Sequence, residues 1–580
     1  MRILCLNPPF KTEHGRFSRT SRSPAVTKSG TIYYPIWLCY AAGVLEDAGF
    51  DVKVIDSCAC EYDLARTLEL VSEFGPDMAV LDTSTPSIFS DVATGAAVKK
   101  IFPQCFVVLM GTHPSALPEE TLALDGAIDV VAVGEADYTL RELARKLSES
   151  GTVQIAAEKA LRESVLQGID GLAWRSGNRM VVNKKRDFIE DLDELPFVSR
   201  VYKKHLDVNK YFFAASDYPE IQIMTARGCV ARCTFCVYPQ TIHGWKYRVR
   251  SAKSIADEFQ WVAENLPEVR EIGIEDDTFT GSHKRTIEFC RELIERNIRI
   301  KWYCNVRVDL KYETMQWMRK AGCVLVTVGY ESASDEILTN IDKRATAGMI
   351  LEFSRNTRKA GLLVHGCFMA GNRGETRETL EKSLQMSLRL MDDTMQFFPL
   401  MVYPGTMDYE WAKTKGLLTA RSWADYLTED GNHNSVLKMP DMDSVEIREW
   451  CNDARRRYYL RPRYLFYKLL QQVRHPSEMR RTFKAAKRFI HFLKPGESRA
   501  DAFPDLHPYP FLHLHRLPYR PGRVVFDFRE DHSTGGHHAG GEPYHLGLQR
   551  AGRDPGEARK HAGPRLPAGE AGGDRRLRGR

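Results

Sequence analysis

The sequence lacks long apolar runs and carries little net charge, and each absence argues against a class of protein. No segment reaches the roughly 18 consecutive apolar residues that a membrane-spanning helix needs. The N-terminal stretch MRILCLNPPF has none of the charged, apolar and small-residue regions of a secretory signal. The 82 basic and 76 acidic residues nearly cancel, so no overall positive field attracts nucleic acid. We therefore expect a cytoplasmic protein with no nucleic-acid partner.

Cysteine is too sparse and too unevenly placed for a disulfide-stabilised chain. Ten of the 13 cysteines are scattered, whereas Cys229, Cys233 and Cys236 lie close together. In a cytosolic protein such a cluster favours metal binding over disulfides. The length of 580 residues exceeds what one hydrophobic core usually organises, so we expect two or three folded units.

Residues 1–150 alternate short apolar strands with helical stretches. This pattern predicts a parallel sheet with helices on both faces, a doubly wound (Rossmann-like) α/β domain. Such sheets bind ligands beyond the carboxyl ends of their strands, where this sequence places polar and glycine residues. The candidate ligand-binding residues are Asn7, Thr83, Ser84, Thr85, Gly111, His113, Gly134 and Glu135.

The remainder of the chain divides into four predicted segments. Residues 151–210 read as a connector with a hairpin whose turn is Gly177-Asn178. Residues 211–443 contain six further strand and helix units, which predict a partial (β/α)6 barrel with its chemistry at the strand C-termini. Residues 444–495 are predicted to be helical, basic and aromatic, and residues 496–580 a disordered tail rich in Gly, Pro, His and Arg.

The cysteines form a CxxxCxxC motif, Cys229-Val-Ala-Arg-Cys233-Thr-Phe-Cys236, directly after an apolar strand. Three thiolates on one loop can hold three irons of a cubane and leave the fourth iron without a protein ligand. A structural zinc site would need four closed ligands, and no fourth cysteine lies near the loop, although His243 follows it. Zinc or three unrelated thiols is the alternative interpretation.

With this motif after the first barrel strand, residues 217–440 resemble the radical S-adenosylmethionine (SAM) enzymes. The resemblance implies a [4Fe-4S] cluster on the three cysteines, SAM chelated by the open iron, and a 5′-deoxyadenosyl radical that abstracts hydrogen from a substrate. It also implies SAM contacts from polar residues at later strand ends, although each of these residues taken singly is as often a cap or a loop hydrogen bond. These residues are Asp276, Asp277, Asn305, Arg307, Glu331 and Ser332.

The domain order and the motifs NPP, TSTPSIFSD, GTHPSALPEE and VGEAD resemble the cobalamin-binding class of these enzymes, near the lineage that includes hopanoid-associated members. The resemblance implies cobalamin at the strand-end residues of the first domain. The chain has no Asp-x-His-x-x-Gly motif, so cobalamin would bind without a cobalt-ligating histidine. His113 is then expected to hydrogen-bond its own loop or a corrinoid side chain. A degenerate domain that binds no cofactor is the alternative.

The class implies C-methylation of an unactivated carbon in natural-product, lipid or pigment biosynthesis, because such a carbon has no lone pair for ordinary methylation. A non-methylating rearrangement or cyclisation of a lipid or tetrapyrrole is the first alternative. A non-catalytic corrinoid or iron-sulfur sensor is an alternative of another class. The implied partners are a small-molecule or lipid substrate and an electron donor of the flavodoxin or ferredoxin type. Residues 455–489 could contact an anionic membrane, but charged helix faces are usually solvated.

Overall fold

The computed structural model describes residues 1–27, 29–151 and 159–474, and it confirms the predicted fold class of a doubly wound sheet followed by a partial barrel. The strands are β1 (Arg2–Asn7), β2 (Phe17–Ser18), β3 (Ala25–Val26), β4 (Asp51–Asp56), β5 (Met78–Thr83), β6 (Phe106–Gly111), β7 (Val130–Ala132), β8 (Leu172–Ser176), β9 (Arg179–Val182), β10 (Glu220–Ile223), β11 (Ala226–Arg227), β12 (Arg248–Val249), β13 (Glu271–Ile274), β14 (Lys301–Val306), β15 (Cys323–Glu331), β16 (Leu363–Ala370) and β17 (Thr394–Pro399). The helices are α1 (Ile36–Asp47), α2 (Ser57–Cys60), α3 (Leu64–Phe74), α4 (Ile88–Ile101), α5 (Thr112–Ala116), α6 (Pro118–Ala123), α7 (Asp137–Ser150), α8 (Lys159–Gln167), α9 (Val198–His205), α10 (Ala252–Asn265), α11 (His283–Glu295), α12 (Tyr312–Lys320), α13 (Asp335–Asn340), α14 (Ala347–Ala360), α15 (Arg377–Leu390), α16 (Met407–Thr414), α17 (Ser444–Tyr459) and α18 (Pro462–Arg474).

The N-terminal sheet has seven strands in the order β4-β1-β5-β6-β7-β8-β9. The first five run parallel, and the residues of β5 and β6 are all buried, as expected for strands covered on both faces. Strands β8 and β9 form the hairpin around Gly177-Asn178, and β8 pairs antiparallel with β7. The hairpin that the sequence places in a connector thus covers an edge of this sheet.

The second sheet contains six parallel strands in chain order, β10-β13-β14-β15-β16-β17. Hydroxyl side chains begin most of the helices between and after these strands, because a serine or threonine oxygen accepts a hydrogen bond from a free N–H of the first turn. Ser251, Ser282, Thr346, Thr376 and Thr406 cap α10, α11, α14, α15 and α16 in this way. The result is the predicted partial (β/α)6 barrel.

Helix α1 joins the two domains. It is apolar on nearly every face because it packs against α7 of the first domain and against α9, which precedes the barrel. The Tyr40 hydroxyl donates to the carbonyl of Met224, 3.0 Å away, directly after the first barrel strand. Immediately before the helix, the Tyr34 hydroxyl donates to the carbonyl of Glu220 at 3.0 Å. The relative position of sheet and barrel is therefore defined by buried contacts.

Two buried arginines of the barrel complete this junction. The Arg227 guanidinium donates to both carboxylate oxygens of Asp137, at 2.7 and 3.1 Å. Arg248 donates to Glu135 at 2.9 Å. Both arginines lie on the β11–β12 ribbon next to the cysteine loop, and both acids lie at the start of α7. Bidentate pairs of this kind hold orientation as well as distance.

The C-terminal helices α17 and α18 attach to the beginning of β17 through tyrosine hydroxyls. Tyr458, Tyr459 and Tyr464 donate to the carbonyls of Asp392, Met395 and Asp393, respectively, at 2.6 to 2.8 Å. The remaining part of the predicted helical region, 475–495, and the predicted tail, 496–580, lie outside the described residues. Within the described residues, no helix is both long and apolar enough to span a bilayer.

Replacing Asp137 by alanine should destabilise the protein, because it leaves the buried Arg227 charge without its closest partner. We expect the free energy of unfolding to fall by about 3–5 kcal/mol, measured by urea denaturation. Asp453→Ala is the matched control, because Asp453 is exposed and lies 3.8 Å from Arg457 in a weak surface pair. Removing this carboxylate should lower the free energy of unfolding by less than about 1 kcal/mol. Equal effects of the two substitutions would contradict the structural role of the Arg227 pair.

Candidate active site

The cysteine loop begins at a glycine that no other residue can replace. Gly228 has φ +83°, and a Cβ at this position would lie 2.1 Å from the carbonyl oxygen of Lys246. The chain therefore turns sharply between β11 and Cys229, in the left-handed region that favours glycine. This turn positions the CxxxCxxC segment beyond the end of the first barrel strand.

The three thiols pack together with Ala231 and Phe235. Hydrogen bonds hold the loop: Gln240 donates to the carbonyl of Cys236 at 2.8 Å, and the Thr234 N–H donates to that of Ile341 at 3.1 Å. Burial raises the pKa of the Cys229 thiol to about 11, so its thiolate form needs compensating positive charge, which iron ions would supply. A donor set of three neighbouring sulfurs fits a cubane cluster.

His243, the residue that could complete a zinc site, is committed elsewhere. Its ring is fully buried and its Nδ1 lies 2.9 Å from the Asp277 carboxylate. The described residues contain no group of three or more His, Cys, Asp or Glu side chains arranged around one metal ion. Cysteines of a cubane bind different iron ions and need not converge on one point.

The three carboxylates that follow β13 have different roles. Asp276 is fully buried and accepts hydrogen bonds from the N–H groups of Thr225 and Ala226 and from the Thr225 hydroxyl, at 2.6 to 2.9 Å. Asp277 pairs with His243, whose charge and hydrogen bond hold its pKa below the usual value against the opposing effect of burial. These contacts occupy both side chains in holding the loops around the cysteines. The SAM contacts expected of Asp276 and Asp277 stay a prediction, and both carboxylates already have partners within the protein.

Glu275 is the third carboxylate, and it directly follows the second barrel strand. Asn305, one of the predicted residues, donates to Glu275 at 3.0 Å. Arg22 lies 3.4 Å from the same carboxylate and donates to the carbonyl of Asp276 at 2.8 Å, with its guanidinium 5.6 Å from the Tyr238 ring centre. Burial raises the pKa of Glu275, which Arg22 opposes. Arg22 comes from the N-terminal domain and belongs to no motif, so sequence reasoning missed it.

The other predicted SAM residues lie at the C-terminal ends of the third and fourth barrel strands. The Glu331 carboxylate pairs with Lys343 at 2.8 Å, and both side chains are buried. Lys343 also lies 5.9 Å from the ring centre of Phe235, inside the cysteine motif. Arg307 donates to the carbonyl of Lys343 at 2.7 Å, whereas Ser332 is fully buried with its hydroxyl 3.4 Å from that of Ser383. Lys343 is a second residue that the sequence did not reveal.

A cavity lies between the C-terminal edge of the sheet and the barrel. Five of the eight predicted strand-end residues line it: Thr83, Thr85, Gly111, Gly134 and Glu135. Asn7, Ser84 and His113 are not among its lining residues. From the barrel side the cavity is lined by Arg227, Val237 and Tyr238, which flank the cysteine loop.

His113 is buried behind the cavity wall. Its Nδ1 lies 3.3 Å from the Thr85 hydroxyl, and its ring packs edge-on against Trp423 at 5.1 Å. Burial lowers the pKa of His113 to about 3, so the ring is neutral at physiological pH. The observed partner lies after β5 and not in the loop of His113 itself, and a contact with a corrinoid side chain stays a prediction.

The turn Tyr403-Pro404-Gly405-Thr406, after the last barrel strand, contributes to the junction of the domains. Gly405 has φ +83°, and a Cβ there would lie 2.8 Å from the side chains of Ala116 and Thr241. Tyr403, which opens the turn, lines the cavity, and its hydroxyl lies 3.4 Å from that of Ser23. The turn therefore packs against the N-terminal domain and forms part of the cavity wall.

A buried acidic group at the cavity also escaped sequence reasoning. Asp82 lines the cavity beside Arg19, and burial raises its pKa to about 7. Arg19, which belongs to the same motif-free loop as Arg22, donates to Asp91 at 2.6 Å. The Tyr238 hydroxyl donates to the carbonyl of Thr20 at 2.6 Å, so this loop forms the wall between cavity and barrel mouth.

Two family models match the two halves of this arrangement. The model described as "B12 binding domain" matches residues 22–144. The model described as "Radical SAM superfamily" matches residues 223–386. The matched ranges coincide with the doubly wound sheet and with the barrel that carries the cysteine loop.

Whole-chain relatives extend these matches. An uncharacterized methyltransferase of Pyrococcus horikoshii is 30% identical over 466 residues, covering 80% of this chain and 94% of the relative. The anaerobic magnesium-protoporphyrin IX monomethyl ester cyclase of Cereibacter sphaeroides is 25% identical, covering 75% of this chain and 68% of the relative. The solved structure of the radical SAM methyltransferase TsrM from Kitasatospora setae, with cobalamin and a [4Fe-4S] cluster bound, superposes with a TM-score of 0.56 at 20% identity, covering 78% of this chain and 87% of that one.

The raised pKa of Asp82 predicts a pH dependence of stability. The folded protein holds the Asp82 proton more tightly than the unfolded chain, whose value is 3.8, so this stabilisation is present below about pH 4 and is lost as the pH rises through about 7. Without added cofactors, Asp82→Asn should therefore lose less stability than wild type between those pH values in urea denaturation. Asp309→Asn, at a half-exposed carboxylate, serves as the control and should follow wild type.

Proposed function

This chain belongs to the cobalamin-binding radical SAM enzymes, and we propose that it transfers a methyl group to an unactivated carbon of a small molecule. The family is shown by a methyltransferase relative that is 30% identical over 94% of its own length. When bound, the cofactors of this family supply a carbon radical through the cluster and SAM, and a methyl group through cobalamin. The residues described above have to bind these groups and exclude water.

The observation that carries the proposal is the shared wall between the cavity and the cysteine loop. Val237 and Tyr238 line the cavity and directly follow Cys236, and Arg227 lines it two residues before Cys229. A ligand in the cavity and a ligand on the cluster would thus be neighbours. Methyl transfer to a radical needs this proximity, because the carbon and the methyl donor must meet within the lifetime of the radical.

The sheet side of the cavity carries polar groups and glycines that suit a corrinoid such as cobalamin. A Cβ at Gly111 would lie 2.2 Å from the carbonyl oxygen of Thr83, whereas one at Gly134 would meet no atom closer than 3.7 Å. Gly111 is thus required by the fold itself, whereas Gly134 leaves open space at the strand edge where a ligand would approach. Thr83 and Thr85 offer hydroxyl groups at the same edge, which suit the amides and phosphate of a corrinoid.

Within the barrel mouth we assign the ammonium group of SAM to Glu275. Its carboxylate is oriented by Asn305 and stabilised as an anion by Arg22. The two neighbouring aspartates already bind Thr225 and His243. A cationic ligand would strengthen that anionic form. We assign the carboxylate of SAM to the region of Lys343, whose ammonium lies between Glu331 and Phe235 of the cysteine motif.

The proposal also covers the partners of the enzyme. Radical generation needs one electron from outside the chain, so we propose a low-potential donor of the flavodoxin or ferredoxin type. Such donors and an oxygen-sensitive cluster favour a cytoplasmic location. The substrate is proposed to be a small molecule or a lipid, as the family implies.

The decisive experiment follows the methyl group. Anaerobically reconstituted protein is incubated with cobalamin, a reductant, SAM carrying a trideuteromethyl group, and a metabolite extract. We expect a labelled product together with 5′-deoxyadenosine and S-adenosylhomocysteine. Deoxyadenosine formed together with an unlabelled isomer or cyclised product would favour the non-methylating alternative, a rearrangement or the kind of cyclisation that gives the cyclase relative its name. The variant with alanine at Cys229, Cys233 and Cys236 should form neither nucleoside, whereas Cys60→Ala should behave as wild type.

Glu275→Gln tests the assignment of the ammonium group. We expect the KM for SAM to rise by about 10-fold or more, because a charged hydrogen bond contributes about 1.5–3 kcal/mol. Iron content and the cobalamin spectrum should not change, since Glu275 contacts neither the cysteines nor the cavity lining. Asp276→Asn should instead reduce the yield of folded protein, because it breaks the hydrogen bonds to Thr225 and Ala226. An unchanged KM in Glu275→Gln would refute the assignment.

A further inference from the structure

Helix α18 exposes its apolar face and buries its polar one. Leu465, Phe466, Leu469 and Leu470 are 54, 62, 58 and 41% exposed, whereas Tyr464 is 6% exposed. The four apolar residues recur at helical spacing and form one stripe along the helix, which we call the α18 stripe. A surface helix normally turns such a stripe inward, and the sequence led us to expect a charged outer face. The observed arrangement therefore needs a separate explanation.

The inner face of α18 is held by one acidic residue at the start of β17. Tyr464 donates to the carbonyl of Asp393 at 2.7 Å, and Tyr467 donates to its carboxylate at 2.8 Å. The Lys468 ammonium lies 3.7 Å from the same carboxylate. Rotating the helix to bury its stripe would break all three contacts. The exposure of the stripe is thus built into the anchoring of the helix.

Positive charge is concentrated in the same part of the chain. Residues 461–474 contain four basic and no acidic residues, and residues 461–495 contain ten basic residues and one acidic residue. The chain as a whole carries only +6, so the remainder has more acidic than basic residues. A local excess of this size is complementary to an anionic partner.

We propose that the α18 stripe docks on the surface of an anionic phospholipid bilayer. Leucine and phenylalanine side chains would enter the boundary between headgroups and acyl chains, and the flanking arginines and lysines would contact anionic headgroups. A nucleic acid would match the charge but leave the leucines exposed to water. A second copy of the chain would bury the leucines but repel the basic charge. The bilayer alone matches both features.

The docking surface lies away from the candidate active site. Helix α18 is anchored at the residues that precede β17, at the N-terminal end of a barrel strand, whereas the cysteine loop lies at the C-terminal end. Membrane binding would therefore leave the barrel mouth open. For this reason the surface can be tested independently of catalysis.

Vesicle co-sedimentation of the full-length holoenzyme tests the proposal. We expect binding to phosphatidylcholine vesicles that contain about 30 mol % phosphatidylglycerol and little binding to pure phosphatidylcholine. The double variant L465S/F466S should bind the anionic vesicles at least about 10-fold more weakly, because it removes apolar area that inserts into the bilayer. Phe89→Ser is the matched control, since Phe89 on α4 is 46% exposed and should not affect binding.

Sedimentation velocity and thermal unfolding without vesicles complete the experiment. The proposal expects wild type and L465S/F466S to share one oligomeric state and one unfolding midpoint. A dimer of the wild type that dissociates in the variant would overturn the proposal in favour of a second copy. A lower midpoint of the variant without vesicle binding would overturn it in favour of a contact within the chain, and equal vesicle binding by wild type and variant would also overturn it.

Discussion

The relative position of the N-terminal sheet and the barrel depends on the buried ion pair of Arg227 with Asp137. Arg227 lies two residues before the first cluster cysteine, and Asp137 begins α7 beyond the last parallel strand of the sheet. Because both charges are out of contact with water, each needs the other, and the pair tolerates little displacement. The adjacent pair of Arg248 with Glu135 adds a second constraint on the same ribbon. Together these pairs hold the cysteine loop against the C-terminal edge of the N-terminal sheet.

This constraint explains why the charged residues around the cysteines divide into two groups. Asp276, Asp277 and Glu135 form the first group, because their carboxylates hold the loops and the ribbon at the junction of the two domains. Glu275 and Lys343 form the second group, because they pair with charged side chains, Arg22 and Glu331 respectively.

The loop of the N-terminal domain that carries Arg19 and Arg22 connects the two halves of the site. Arg19 reaches the buried Asp91 on α4 of the N-terminal domain, and Arg22 reaches Glu275 in the barrel. Between them, the carbonyl of Thr20 accepts a hydrogen bond from Tyr238 of the cysteine segment. One short segment therefore touches the cavity wall, the barrel mouth and the residues that follow the cluster motif. These three contacts join the two domains through side chains and backbone of a single segment.

The sequence by itself determined the two α/β domains, the CxxxCxxC loop and the strand ends that bear polar residues, because periodicity and short motifs are local properties of the chain. Only the tertiary structure decided the partners of the three consecutive carboxylates, since those of Asp276 and Asp277 are Thr225 and His243, far away in sequence. The same holds for Arg22, for the burial of His113 against Trp423, and for the outward face of α18. A side chain's role follows from what it contacts, and those contacts come from segments that no local pattern brings together.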